Sequence, residues 1–334
     1  MVKMDLSEKI SFMFLLFQVV LSGVAGQTNN LIHQNNNGLS YGFYDQSCPQ
    51  LETIVRGATQ TFLLSDPTTP AALLRLMFHD CQVQGCDASI LIDSFQSEMR
   101  SGKNFGVQKR EVINAIKSVV EAACPRRVSC ADILVLAARD SVALSGGPPI
   151  DVPLGRRDSS DPPDYRLADS LLPPATTGVD DMLHLFGQKG LTVEESVAII
   201  GAHTIGATHC VNVRRRLFDS KAQRGSEVPA DLAALLSLNC PMGASSANIS
   251  TVPNDRTSLT FDNRYYVNAV SGRGVLNIDA AMPIDPRTAG HVKRFAANGE
   301  EFFRAFSSAF VKLSSSNVLT GNRGVIRRNC NTLY

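Results

Sequence analysis

Apolar and polar positions alternate with helical spacing over most of the chain. In "REVINAIKSVVEAA", Val112, Ile113, Ile116, Val119 and Val120 fall on one face of a helix. "VSCADILVLAARDSVALSGG" opens on Ser129 as an N-cap with Asp132 three residues on, and stops at Gly146-Gly147. "LTVEESVAIIGAHTIG" opens with Thr192 and Glu195 in a capping-box pattern, and "FFRAFSSAFVKLSS" is another amphipathic helix. Thr69-Pro70 marks a helix start, from which a helix runs through "AALLRLMFHD". Stretches such as "GGPPIDVPLGRRDSSDPPDY" and "SLLPPATTG" read as loops. Strand-like alternation is scarce and short, so the pattern predicts a mainly α protein.

The start of the chain breaks this pattern. Lys3 and Lys9 precede the apolar run "ISFMFLLFQVVLSGVAG", residues 10–26, which ends in small residues. This is the build of a secretory signal peptide over 1–26, cleaved before Gln27. Gln18 and Ser22 interrupt the run, which is short for a membrane span, and no other stretch resembles one. Residues 27–40 are polar and read as a flexible tail, leaving 41–334 as the folded domain. A chain of 334 residues is large for a single core, so one two-lobed domain or two domains are expected. The net charge of +1 argues against a dedicated nucleic-acid binder. Eight cysteines behind a signal peptide imply a disulfide framework, although eight allow roughly a hundred pairings. One sequon, Asn248-Ile249-Ser250, offers a glycosylation site at Asn248.

Two stretches carry chemistry. "LRLMFHDCQVQGCDAS", residues 74–89, interleaves charged groups with apolar ones, and burying such groups is costly unless something pairs with them. On a helix Arg75 and His79 stand at i and i+4, one above the other, beside Leu74, Met77 and Phe78. Periodicity alone leaves an exposed Arg–His face equally open. In "AIIGAHTIGATHC", His203 sits among Gly201, Ala202, Gly206 and Ala207, small residues that let a large flat partner approach the backbone. A histidine there can be an iron ligand, or a satisfied core histidine.

Together these two stretches resemble the distal and proximal motifs of secreted plant haem peroxidases (class III). Further matches follow in order: "FYDQSCP" (43–49), "CPRRVSCADIL" (124–134), "GGPPIDVPLGRRDS" (146–159), "FDNRYY" (261–266) and "VIRRNCN" (325–331). The resemblance spans about residues 40–331. It implies a two-lobed, mainly α fold with haem b between distal and proximal lobes. It also implies the bridges Cys48–Cys124, Cys81–Cys86, Cys130–Cys330 and Cys210–Cys240.

The resemblance also implies roles. His79 carries a proton between the peroxide oxygens, and Arg75 supplies fixed positive charge to the leaving oxygen. Phe78 limits access to the iron. Asn104 accepts from the His79 ring, and the Glu98 carboxylate engages that asparagine. His203 is the axial iron ligand, with Asp279 on its other ring nitrogen; Asp279 also reads as a helix N-cap before Ala280. Asp80, Val83, Gly85, Asp87 and Ser89 form a distal Ca²⁺ site, and Thr204, Asp255, Thr257, Thr260 and Asp262 a proximal one, giving two Ca²⁺. Pro173, in "LPPA", lies at the edge where donors bind. The implied activity is reduction of hydrogen peroxide with one-electron oxidation of small phenols, by a monomer in the cell wall or apoplast.

Some positions depart from the family pattern. Met77 replaces a frequent histidine, Gln82 and Gln84 replace phenylalanine and asparagine, Ala175 replaces a proline, and Asn254 stands where an aromatic residue often packs under the proximal histidine. The competing expectation is a non-catalytic, calcium-bound, disulfide-rich wall protein on the same fold. An intracellular ascorbate-using relative is a poorer fit to a chain with a signal peptide, eight cysteines and no tryptophan.

Overall fold

Helix dominates because the apolar stripes recur at helical spacing and the ends are capped where the sequence signals them. The computed structural model describes residues 38–218, 228–241 and 250–333, so the 1–26 segment, most of the 27–40 tail and Asn248 lie outside the described residues. In chain order the helices are α1 (Leu51–Ser65), α2 (Thr69–Val83), α3 (Arg110–Ala123), α4 (Cys130–Leu144), α5 (Tyr165–Leu171), α6 (Val179–Gly187), α7 (Val193–Ile200), α8 (Cys210–Phe218), α9 (Ala230–Asn239), α10 (Arg264–Val270), α11 (Asn277–Ala281), α12 (Ala289–Ala297) and α13 (Gly299–Ser315). Strands β1 (Ala207–His209) and β2 (Thr251–Pro253) pair antiparallel, with His209 opposite Thr251. None of the described helices is long and apolar enough to cross a membrane.

The predicted caps form. Ser129 Oγ accepts from Asp132 N at the head of α4, and Thr192 and Glu195 cap α7 reciprocally. The stripe on α3 is narrower than its sequence suggests. Val112, Ile113, Ile116 and Val120 are buried, but Val119 faces outward and is 52% exposed. Lys117 is buried on that helix instead, its ammonium held by Glu121 and the Val128 carbonyl.

Helix α4 is buried along almost its whole length and packs against α1, α2 and α3. On the other side, α13 packs against α7 and α12, around stacked and edge-on rings of Phe261, Phe302 and Phe306. The loop 146–159, read as irregular, is pinned by buried charge. Arg156 donates to Asp132 at 2.8 Å with both side chains fully buried. Tyr44 and the Gly155 amide complete the Asp132 carboxylate. Asp158 accepts from the amides of Ala131 and Arg327. Removing one member of such a pair typically costs about 3–5 kcal/mol, because the other charge is left buried and alone.

All eight cysteines are paired, as Cys48–Cys124, Cys81–Cys86, Cys130–Cys330 and Cys210–Cys240. Two of the bridges hold helix starts: Cys130 opens α4 and Cys210 opens α8.

Candidate active site

Helix α2 supplies the first half of the site. Its apolar face, with Leu73, Leu76 and Met77 fully buried, faces the core and carries His79 inward. The i,i+4 spacing produces direct contact, as Arg75 Nε donates to His79 Nε2 at 3.2 Å. His79 Nδ1 lies 2.6 Å from Asn104 Oδ1. The Asn104 amide nitrogen is committed to the Glu98 carbonyl at 2.8 Å, so its oxygen must face the ring. His79 Nδ1 therefore carries the hydrogen and Nε2 keeps its lone pair. Burial, followed by the Arg75 charge, pushes the His79 pKa down to about 3, and Asn104 opposes this only in part. Arg75 is itself lowered by burial to about 10, and it remains a cation at neutral pH.

The expected tie between Asn104 and the Glu98 carboxylate takes another form. Asn104 reaches the backbone carbonyl of Glu98, not its side chain. The Glu98 carboxylate turns toward Ser89 and Asp87 and leaves Oε2 buried without a partner. Glu98 thus joins the acidic group that follows α2. There Asp80 accepts from the amides of Ala88 and Ile90, and Asp87 from that of Ser89. Asp80, Asp87 and Ser89 are buried, as are Val83 and Gly85. Gly85 is required by close approach, since a Cβ there would stand 2.3 Å from the Asn317 carbonyl oxygen. Burial raises the pKa of Asp80 well above the carboxylate range, with the charges of Asp87 and Glu98 adding to it. Asp87 is raised too, by burial first, and Glu98 is pushed up to about 7.

Helix α7 ends in the short turn Gly201–Thr204, which supplies the second half. His203 Nδ1 lies 3.1 Å from Asp279 Oδ1. Asp279 also accepts from Tyr265 at 2.7 Å and from the Leu276 amide at 2.8 Å. Asp279 is not the N-cap read from the sequence: Leu276 holds that position, and the Asp279 carboxylate, at the third residue of α11, reaches back to the Leu276 amide while it grips the histidine. Burial alone would raise the Asp279 pKa, but the bonds from His203, Tyr265 and Leu276 hold it below the usual value. The His203 side chain is 32% exposed, and its Nε2 is the nitrogen left free of Asp279. Next to it, Thr204 Oγ1 lies 3.1 Å from Asp255 and 3.2 Å from Asp262. The Thr257 amide and hydroxyl bond Asp255, while Thr260 lies exposed with its amide on the Thr257 carbonyl.

The segment expected to form the donor edge follows α5. Leu172 packs with Val83, Ala168 and Phe78, and its carbonyl accepts from Lys103 at 2.5 Å. Pro173 is half-buried and Ala175 exposed. Phe78 stands edge-on to His79 and to Phe186. Two departures have visible consequences. Gln82 is buried and donates to the Leu171 carbonyl at 3.4 Å. Asn254 donates to the His203 carbonyl at 3.0 Å and leaves Oδ1 buried without a partner.

These residues fit a haem and calcium. His203 leaves Nε2 free of Asp279 at a turn of small residues. Asp80, Asp87 and Glu98 concentrate buried negative charge with an orphaned oxygen, which a hard divalent cation would relieve. No group of three or more His, Cys, Asp or Glu side chains is arranged to hold a metal ion among the described residues, so hydroxyl and carbonyl oxygens would have to complete any calcium set.

The chain matches the family described as Peroxidase over residues 55–298. It is 51% identical to Peroxidase 29 of Arabidopsis thaliana over 324 residues, which cover 95% of this chain and 94% of the relative. Peroxidase 57 of Arabidopsis thaliana is 44% identical over 296 residues, covering 87% and 91%. Peroxidase 2 of Oryza sativa subsp. japonica is 38% identical over 326 residues, covering 97% and 98%.

Proposed function

This chain belongs to the plant peroxidase family, and on that premise we propose that it is a secreted haem b enzyme that reduces hydrogen peroxide and oxidises small phenols one electron at a time. The observation that carries the reading is the His79–Asn104–Arg75 arrangement: a buried imidazole of fixed tautomer beside a half-buried cation. Haem, held by His203, would supply the iron chemistry that reduces peroxide and keeps its oxidising equivalents for the donors.

The protein's own groups do the rest. His79 Nε2 takes the proton from the near peroxide oxygen and returns it to the far one. Asn104 keeps that nitrogen unprotonated beforehand. Arg75 offsets negative charge on the departing oxygen in a dry chamber, where a fixed cation acts most strongly. Phe78 excludes bulky molecules from the iron, so donors stop at the edge formed by Leu172 and Pro173. Asp279 draws on the His203 Nδ1 hydrogen and makes the ring a stronger electron donor to the metal. Two Ca²⁺ sites are proposed at Asp80, Val83, Gly85, Asp87 and Ser89, and at Thr204, Asp255, Thr257, Thr260 and Asp262. They brace the segments beside His79 and His203.

The full pairing of the cysteines supports folding in an oxidising compartment, and hence a signal peptide at 1–26 and export to the cell wall as a monomer. The non-catalytic alternative finds no support, because Arg75, His79 and His203 all stand in working arrangements. The test uses full-length secreted protein: a Soret band, with peroxide-dependent oxidation of guaiacol. Haem-loaded protein that does not consume peroxide would overturn the reading.

A further inference from the structure

Two side-chain bonds tie the short turn Gly102–Asn104 to α5 and the residue after it. Ser101 Oγ donates to Asp169 at 2.5 Å and accepts from the Lys103 amide at 3.2 Å, so the turn is fixed at its start. Lys103 Nζ then donates to the Leu172 carbonyl at 2.5 Å. Asp169 and Leu172 are three positions apart and present one side of the helix end to the turn. The next residue, Asn104, holds His79, and Leu172 packs with Phe78. A half-buried ammonium is therefore fixed on the segment proposed to receive donors, one residue from the partner of His79.

That ammonium has capacity to spare. A lysine carries three donors, and Leu172 takes one. Among the described residues no carboxylate pairs with Lys103. Asp169, the acid in this cluster, gives its oxygen to the Ser101 hydroxyl. Arg75, the neighbouring cation, is committed to His79 and to the Phe105 carbonyl. Beside Lys103 the surface is apolar, with Leu171 and Phe78 against Leu172 and with Pro173 half-buried.

We propose that Lys103 selects phenols whose side chain ends in a carboxylate, binding that carboxylate while the aromatic ring rests on the apolar segment at Leu172 and Pro173. The proposal rests on the peroxidase reading and deepens it by naming the substrate class. A carboxylate accepts a charge-assisted hydrogen bond from the ammonium, whereas an alcohol in the same place accepts an ordinary one. Leu172 already holds the lysine, so little side-chain freedom remains to be lost on binding. Lys103 does not touch the reacting hydroxyl. Its effect belongs to binding, and the proton and electron steps stay with the groups already assigned.

The experiment compares para-hydroxyphenylpropionate with para-hydroxyphenylpropanol, whose phenol groups are electronically alike and whose tails differ only at the end. With haem-loaded wild type at low salt, kcat/KM should favour the acid by about tenfold, through KM. Because the ammonium is partly exposed, that preference should shrink in roughly 0.5 M salt. Lys103→Met should abolish it and Lys103→Arg should keep it. A readout apart from turnover is titration of the resting protein without peroxide, followed by difference spectra. There the wild type should bind the acid about tenfold more tightly, and Lys103→Met should bind the two alike. Equal losses with both donors in Lys103→Met would show that the lysine only braces the edge, and would overturn the proposal. Equal binding of both phenols by the wild type, or loss of the preference in Lys103→Arg as well, would overturn it too. A wild type that binds both phenols and oxidises neither would instead refute the peroxidase reading.

Discussion

His79 and His203 each give one ring nitrogen to a side-chain oxygen, yet the two settings drive the rings apart chemically. The partner of His79 is the neutral amide of Asn104, in a dry chamber shared with a guanidinium. The partner of His203 is a carboxylate kept ionised by Tyr265 and the Leu276 amide. The amide fixes a tautomer without adding charge, so His79 stays neutral and ready to take a proton. The carboxylate adds electron density, which suits the proposed role of His203 as a metal ligand. The partner atom, more than the histidine, assigns the role.

Removing the distal base is the most direct way to break this comparison. His79→Ala should slow the reaction with peroxide by at least about 10⁴-fold, since both proton transfer and orientation are lost. A stopped-flow rate within tenfold of wild type would end the assignment. Next in size, Asp279→Asn should weaken haem retention or activity by roughly 10–100-fold. It should also shift the iron–histidine stretching frequency, which an effect on packing alone would leave in place.

Exchanging the partner type on the distal side sharpens the contrast further. In Asn104→Asp a carboxylate faces His79 Nδ1, and its charge raises the pKa from the wild-type value of about 3. Below its pKa the ring is protonated and cannot accept a peroxide proton. Activity should therefore be lost on the acid side, by about tenfold at pH 5 if the pKa returns to near 6. A peroxide-rate profile with an unmoved acid limb would show that the amide does not set the charge state.

The last test concerns the acidic set that follows α2. Asp80, Asp87 and Glu98 are raised by burial, so without calcium the folded state binds more protons there than the unfolded chain. Stability of the calcium-free protein should then fall as pH rises from about 4 through about 7, the folded value of Glu98. The Glu98 share is on the order of 3 kcal/mol. Melting curves with and without chelator should diverge more at pH 7 than at pH 4.5. A constant gap would mean that no cation neutralises this cluster.

Much of the fold could be read from the sequence because its signals are local. The caps at Ser129 and Thr192, the i,i+4 pair Arg75–His79 and the Asp279 turn depend on residues a few positions apart. What was hidden depends on distant partners. Nothing local marks Arg156 as buried against Asp132, or Arg327 as beside Asp158. Val119 sits on the apolar stripe of its helix yet faces solvent, because the stripe's edge is left uncovered among the described residues. Glu98 was identified as part of the site, but its backbone and side chain serve different neighbours. Asn254 was legible as a departure, and its bond to the His203 carbonyl was not.

Arg327 also has a consequence in time. Its guanidinium donates to the carbonyl of Ala88, 239 residues earlier, and the Asp93 amide bonds the Asn331 carbonyl. Cys130 waits for Cys330 across a separation of 200 residues. Synthesis is vectorial, so the distal loop leaves the ribosome long before the strap that braces it. The loop beside His79 is thus among the earlier parts made, and its contact with Arg327 can form only after 239 further residues have been added.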